Sequence, residues 1–102
     1  MREKKRYLVF EVVAKHNLSF GEVRNAIRDG LLRFLGELGF AKAGVMILDD
    51  WKNNKGVMKV SNKHVDEVRA GLALIKKVGN ETVIVRTVGV SGILRKARGK
   101  FS

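Results

Sequence analysis

The sequence predicts an α+β fold: a four-stranded antiparallel sheet with two helices on one face, in the order strand, helix, strand, strand, helix, strand. Three observations predict it. Four segments, "RYLVFEVVA", "AGVMILDD", "KGVMKVS" and "TVIVRTVGVS", are apolar on one or both sides when read with the two-residue period of a strand. Two longer stretches between them repeat apolar residues every three or four positions, the period of a helix face. The second and third segments are separated only by "WKNN", the middle of the polar turn "DWKNNKG", a hairpin connection. At 102 residues the chain is read as one domain, 1–102, large enough to bury a core without disulfides.

The elements follow in order. Arg6 to Ala14 is apolar at nearly every position, so the first strand needs cover on most of both faces. Leu8, Phe10 and Val12 lie on one side, and Tyr7, Val9, Glu11 and Val13 on the other. Ser19 opens the first helix as its N-cap, with Glu22 three residues on completing a capping box. Phe20, Val23, Ile27, Leu31, Phe34 and Leu38 form the apolar stripe of that helix, and Gly39 is placed to stop it. In the third strand, Met58 and Val60 fall on one side and Val57 and Lys59 on the other. Ser61 or Asn62 caps the second helix, whose stripe is Val65, Val68, Leu72, Ile75 and Val78, and Gly79–Asn80 end it. Gly71 in its middle costs about 1 kcal/mol relative to Ala, so it marks a place of close packing. The compact arrangement of these elements is the ferredoxin-like, RRM-like βαββαβ plan with both helices on one face. There is no internal repeat, no low-complexity segment and no proline.

Helices on one face leave the other open. That face carries Tyr7, Val9, Val13 and Val57, with either Val45 and Ile47 or Met46 and Leu48. An apolar patch of this size on a small protein marks an interface, so these residues are expected to meet a protein partner. The third strand begins like the strand that reads RNA in RNA-recognition modules: Lys55, Gly56 and Val60 fit that pattern. Val57 and Lys59, however, stand where the module has rings that stack on bases. Without rings the face is a poor base-stacking platform and a good protein-docking one.

Charge is the strongest compositional signal. Lys and Arg number 21 against 10 Asp and Glu, for a net charge of +11. Residues 1–6 carry a net +3 and residues 92–102 a net +4, which leaves only +4 for the 85 residues between them. Such basic ends point to a polyanion, bound with release of counterions. Acidic membrane surfaces are the weaker option, because neither end forms an aromatic-rich amphipathic helix. Gly89, Ser91 and Gly92 leave little bulk where the last strand ends, so another backbone can approach there; Arg95, Lys96, Arg98 and Lys100 follow. The candidate polyanion-contacting residues, RNA-contacting where that polyanion is RNA, are Lys4, Lys5 and Arg6 at one end and Ser91, Arg95, Lys96, Arg98 and Lys100 at the other.

No catalytic constellation emerges. Asp49 and Asp50 precede the hairpin turn, where Asp caps backbone groups. His16 and His64 have no second ligand at metal spacing, and Ser19 and Ser91 have no His and Asp in a nucleophile context. There is no P-loop and no dinucleotide fingerprint. Trp51 in the hairpin either stacks on a base or anchors against a neighbouring strand. The absence of cysteine, of a long apolar run and of a signal-peptide core (Tyr7–Phe10 is ended by Glu11) gives an expected cytoplasmic location.

Three segments, "REKKRYLVFEV", "VDEVRAGLALI" and above all "VRTVGVSGILRKAR", resemble the archaeal ribonuclease P protein component 2 family, shared with a eukaryotic subunit of the same enzyme. Ile93 stands where the family pattern leads one to expect Thr. The resemblance implies a subunit of the ribonucleoprotein that removes the 5′ leader from precursor tRNA, in which the RNA with Mg²⁺ is the catalyst and the protein itself binds no cofactor. It also implies pairing with component 3 as a heterodimer that assembles further into a heterotetramer. The residues leave two alternatives open, a stand-alone single-stranded RNA binder and a pure protein-interaction module.

Overall fold

The computed structural model describes residues 4–99. In chain order the elements are β1 (Lys5–Val13), α1 (Phe20–Ala43), β2 (Met46–Lys52), β3 (Lys55–Ser61), a 3₁₀ turn (Asn62–His64), α2 (Val65–Ala73), β4 (Lys77–Val78), β5 (Glu81–Thr82), β6 (Ile84–Ser91) and α3 (Leu94–Gly99). The main sheet runs β2-β3-β1-β6 with every neighbouring pair antiparallel, the ferredoxin-like order. Leu8, Phe10 and Val12 of β1, Met58 and Val60 of β3 and Val85 of β6 pack under Val23, Ile27 and Leu31 of α1 and Val68 and Leu72 of α2 to make the main core. Burying side chains of this size contributes about 1.5–3 kcal/mol each, which is why the alternation in β1 and β3 sets the register.

The helices depart from the sequence expectation in instructive ways. Ser19 caps α1, its Oγ accepting from the Glu22 amide at 3.3 Å. Gly39 does not end the helix; Gly44 does, in the left-handed conformation (φ 59°, ψ 37°). Gly36 instead interrupts the helix with φ 77° and ψ 169°. The interruption resets the helical phase, so Leu38 is 69% exposed whereas Ala43 is buried. Gly71 of α2 does mark close packing: a Cβ there would sit 2.8 Å from Leu31 Cδ2. α2 ends at Ala73, earlier than its apolar spacing suggests, and Ile75 and Val78 reach the core from the following segment and the small β4–β5 hairpin. A helix stripe and a turn that folds back onto the same core leave the same apolar spacing in sequence.

The β2–β3 hairpin is the tightest local device. Asn53 (φ 53°) and Asn54 (φ 60°) are both left-handed, which fits a two-residue turn whose twist matches the strands. Asn54 is also buried and satisfied. Its Nδ2 donates to His16 O at 2.8 Å, its Oδ1 accepts from Leu18 N at 2.8 Å, and its carbonyl accepts from Val12 N at 2.8 Å. One side chain thus ties the hairpin to the loop that launches α1. Trp51 is an anchor of the same region: Nε1 donates to Leu18 O at 3.0 Å, and the ring lies 6.2 Å from both Phe10 and Phe20. Gly56 makes room for it, since a Cβ there would meet Phe10 Cζ at 2.6 Å and Trp51 Cε3 at 3.1 Å. The glycine that looks like part of an RNA-reading strand is required by the core.

Asn54→Ala removes two side-chain hydrogen bonds and a residue that tolerates positive φ. Its unfolding free energy is expected to fall by about 2–3 kcal/mol. Urea denaturation would show this as a lower midpoint with an unchanged slope.

Candidate nucleic-acid interface

The basic residues that open β1 lie beside the start of the C-terminal segment at one corner of the sheet. β1 and β6 pair so that Tyr7 lies opposite Ser91, which brings Lys4–Arg6 beside the start of the C-terminal segment. Arg6 Nε donates to Asn62 Oδ1 at 2.8 Å, and its guanidinium rests against Gly92, where a Cβ would lie 2.8 Å from Nη1. The Lys4 carbonyl accepts from Asn62 N at 2.8 Å, so the residue after β3 holds both Lys4 and Arg6 in place. Lys5 is exposed, with its ammonium against Gly44 at the C-terminal end of α1, where a cation is favoured by the helix dipole. Lys4 is exposed and Arg6 half-buried.

Ser91 turns the chain out of the sheet. Its Oγ accepts from Ile93 N and donates to Ile93 O, both at 3.1 Å, and α3 begins one residue later. The expected basic tail is therefore a helix over Leu94–Gly99, and it lies on the sheet face opposite α1 and α2. Ala97 is buried there with Val9 and Val57, and Leu94, Tyr7 and Leu48 pack around them. Arg98 pins the helix to β2: its Nε reaches Asp50 Oδ2 at 2.8 Å and its Nη2 reaches Oδ1 at 3.3 Å. Arg95 and Lys96 are exposed and make no ion pair among the described residues. Lys100 lies outside the described residues.

This corrects the expectation of an open sheet face. Val9 and Val57 have no exposed surface, because the chain's own helix covers them. Of the residues expected on that face, Tyr7 is half-buried, and Val13 is 45% exposed beside its cross-strand neighbour Ile84, at 63%. Leu94 and Ala97, three apart, are the signal for α3; the basic residues around them disguise it as a solvated tail. Asp50 likewise acts as the anchor for Arg98, and it lies within β2. Residues the sequence did not single out for the corner are Asn62, which holds Arg6, and the exposed Lys63 after it. Lys59, already placed with Val57 by alternation, is half-buried opposite Tyr7.

His16 lies 3.7 Å from Glu81, and Ser61 Oγ and His64 Nδ1 are buried without hydrogen-bond partners. Among the described residues, no group of three or more His, Cys, Asp or Glu side chains could hold a metal ion. No helix among them is long and apolar enough to cross a membrane.

The model of the Rpp14/Pop5 family matches residues 6–102. The chain belongs to this family of ribonuclease P proteins. It is 37% identical over 102 residues to ribonuclease P protein component 2 of Thermococcus gammatolerans, covering 99% of this chain and 85% of that protein. It is also 37% identical over 101 residues to the component 2 of Methanocaldococcus jannaschii, covering 99% and 75%. Among solved structures, a chain of yeast ribonuclease MRP superposes with a TM-score of 0.72, covering 98% of this chain and 87% of that one. At 11% identity that match speaks to the fold alone.

Asp50→Asn is expected to loosen α3 without unfolding the chain. The Arg98–Asp50 pair is partly exposed, so global stability should change by less than about 1 kcal/mol. Amide exchange in Leu94–Gly99 should accelerate well beyond the change in the sheet, and unchanged exchange there would show that the apolar packing holds the helix alone.

Proposed function

We propose that the chain is a non-catalytic protein subunit of ribonuclease P, which helps the catalytic RNA remove the 5′ leader from precursor tRNA by binding structured RNA and a protein partner. Membership of the family supports the enzyme assignment. The observation that carries the mode of binding is α3. It occupies the sheet face on which a single-stranded RNA binder would stack bases, and its Arg95 and Lys96 are exposed, a few residues after the strand end that pairs beside Lys4–Arg6. Bases cannot stack on a face covered by Leu94 and Ala97, so RNA is met through its phosphates.

In this reading Arg95, Lys96, Lys4, Lys5 and Arg6 neutralise phosphates of a folded RNA, while Arg98 and Ser91 position the helix that presents the first two. Structured RNA is recognised mainly through backbone and shape, which calls for charge rather than rings. Mg²⁺ belongs to the RNA. Component 3 is the protein partner; the apolar residues left outside the cover of α3, such as Val13 with Ile84, support a protein contact.

The test is cleavage of precursor tRNA at limiting Mg²⁺ by ribonuclease P RNA with component 3, with and without this chain. Stimulation by the chain is expected, and no effect on a correctly folded RNA would overturn the assignment. The double replacement of Arg95→Ala and Lys96→Ala should weaken RNA binding with pairing to component 3 unchanged. The salt dependence of binding should flatten by about 1 in slope for each phosphate that is no longer neutralised. Arg98→Ala should act differently, lowering affinity through disorder of α3.

A further inference from the structure

The two edges of the sheet are not equivalent. On β2 the register slips between Ile47 and Trp51, and Asp49, Asp50 and Lys52 lie along the strand. Charge and irregular pairing of this kind keep another strand from adding to an edge. β6 is less protected: its register against β1 also shifts, between Thr87 and Gly89, but Ile84–Thr87 pair regularly with Phe10–Val13. Ile84–Ser91 pairs with β1 alone, and among the described residues no backbone hydrogen bond joins its outer side to another segment. It contains no proline and no lysine, and its one charge, Arg86, is held by Glu11 with Nε at 2.8 Å and Nη2 at 2.6 Å from Oε1. Ile84, Val88 and Val90 are 63%, 39% and 37% exposed.

Beside this edge runs a groove of about 490 Å³ between β6 and α2. The small Ala70 and Ala73 of α2 form one wall, and Val85 and Thr87 the other. The charged residues lining it, Arg69 and Arg86, are both basic. Arg69 makes no ion pair among the described residues.

We propose that the β6 edge accepts a fifth strand from a partner protein: an extended segment in which apolar residues alternate with acidic ones. The free ladder demands N–H and C=O groups alternating at strand spacing, which an extended peptide supplies. The groove takes its apolar side chains beside Ala70 and Ala73, and a carboxylate meets Arg69. A polyphosphate backbone is a poor match for the exposed Ile84, Val88 and Val90. A second copy of this chain would set Arg69 and Arg86 against their own counterparts on a protein of net charge +11. The inference stands on the free chain and is independent of the ribonuclease P assignment.

The experiment is an amide chemical-shift titration of the ¹⁵N-labelled chain with the capped peptide Glu-Val-Glu-Val-Glu-Val, and with Lys-Val-Lys-Val-Lys-Val as control. The expected result is shift changes across Ile84–Val90 and at Arg69, with the acidic peptide binding about fivefold or more tightly than the basic one. Val88→Lys should abolish those changes while the rest of the amide spectrum stays folded, and Arg69→Ala, exposed on α2, should erase the preference between peptides. The proposal is overturned by shifts confined to α3 and Lys4–Arg6, by equal binding of both peptides, or by an unperturbed β6. Shifts in β6 that appear on raising the protein concentration without peptide would assign the edge to a second copy and overturn it as well.

Discussion

β1 is one of the two inner strands of the sheet and is apolar on both sides, so it must be covered twice. Leu8, Phe10 and Val12 face α1 and α2, and Val9 on the reverse is as completely buried as they are. The cover for Val9 and its neighbour Val57 comes from α3, a helix of six residues that could not hold its shape by propensity alone. Ala97 and Leu94 stabilise it by burial, and Arg98–Asp50 fixes its direction. Everything distinctive about the candidate interface follows from that second cover. The stacking face is closed, Arg95 and Lys96 are lifted to the surface, and the apolar surface left for partners moves to the margin of the sheet.

The polar devices of the fold converge on the same economy of parts. Asn54 satisfies three backbone or side-chain bonds at once, Trp51 fills the space Gly56 leaves open, and Asn62 grips both Lys4 and Arg6. Each joins segments distant in sequence, and each uses a residue type that on its own reads as an ordinary turn or surface position. The basic corner is therefore held by the fold, with β1, the end of β3 and the end of β6 supplying its three sides.

The order of the four main strands and two main helices, the ferredoxin-like plan, the inward alternation of β1 and β3 and the capping of α1 by Ser19 were all legible in the chain, because they depend on period and on neighbours within a few residues. So was the family, through "VRTVGVSGILRKAR". The end of α1 was not, since Gly36, Gly39 and Gly44 are indistinguishable as punctuation until packing selects which of them turns left-handed. The end of α2 was not either, because Ile75 and Val78 keep the helical spacing after the helix has stopped.

The content of the site was already written in the chain: a ringless third strand, two basic ends and an apolar first strand. Their arrangement came from long-range packing. The pairing of Tyr7 with Ser91 brings Lys4–Arg6 beside the start of the C-terminal segment, the docking of α3 turns an apparently open face into a covered one, and the bonding of Arg98 to Asp50 separates an anchoring arginine from the exposed Arg95 and Lys96. These contacts join residues tens of positions apart, and no local period or propensity encodes which of them form.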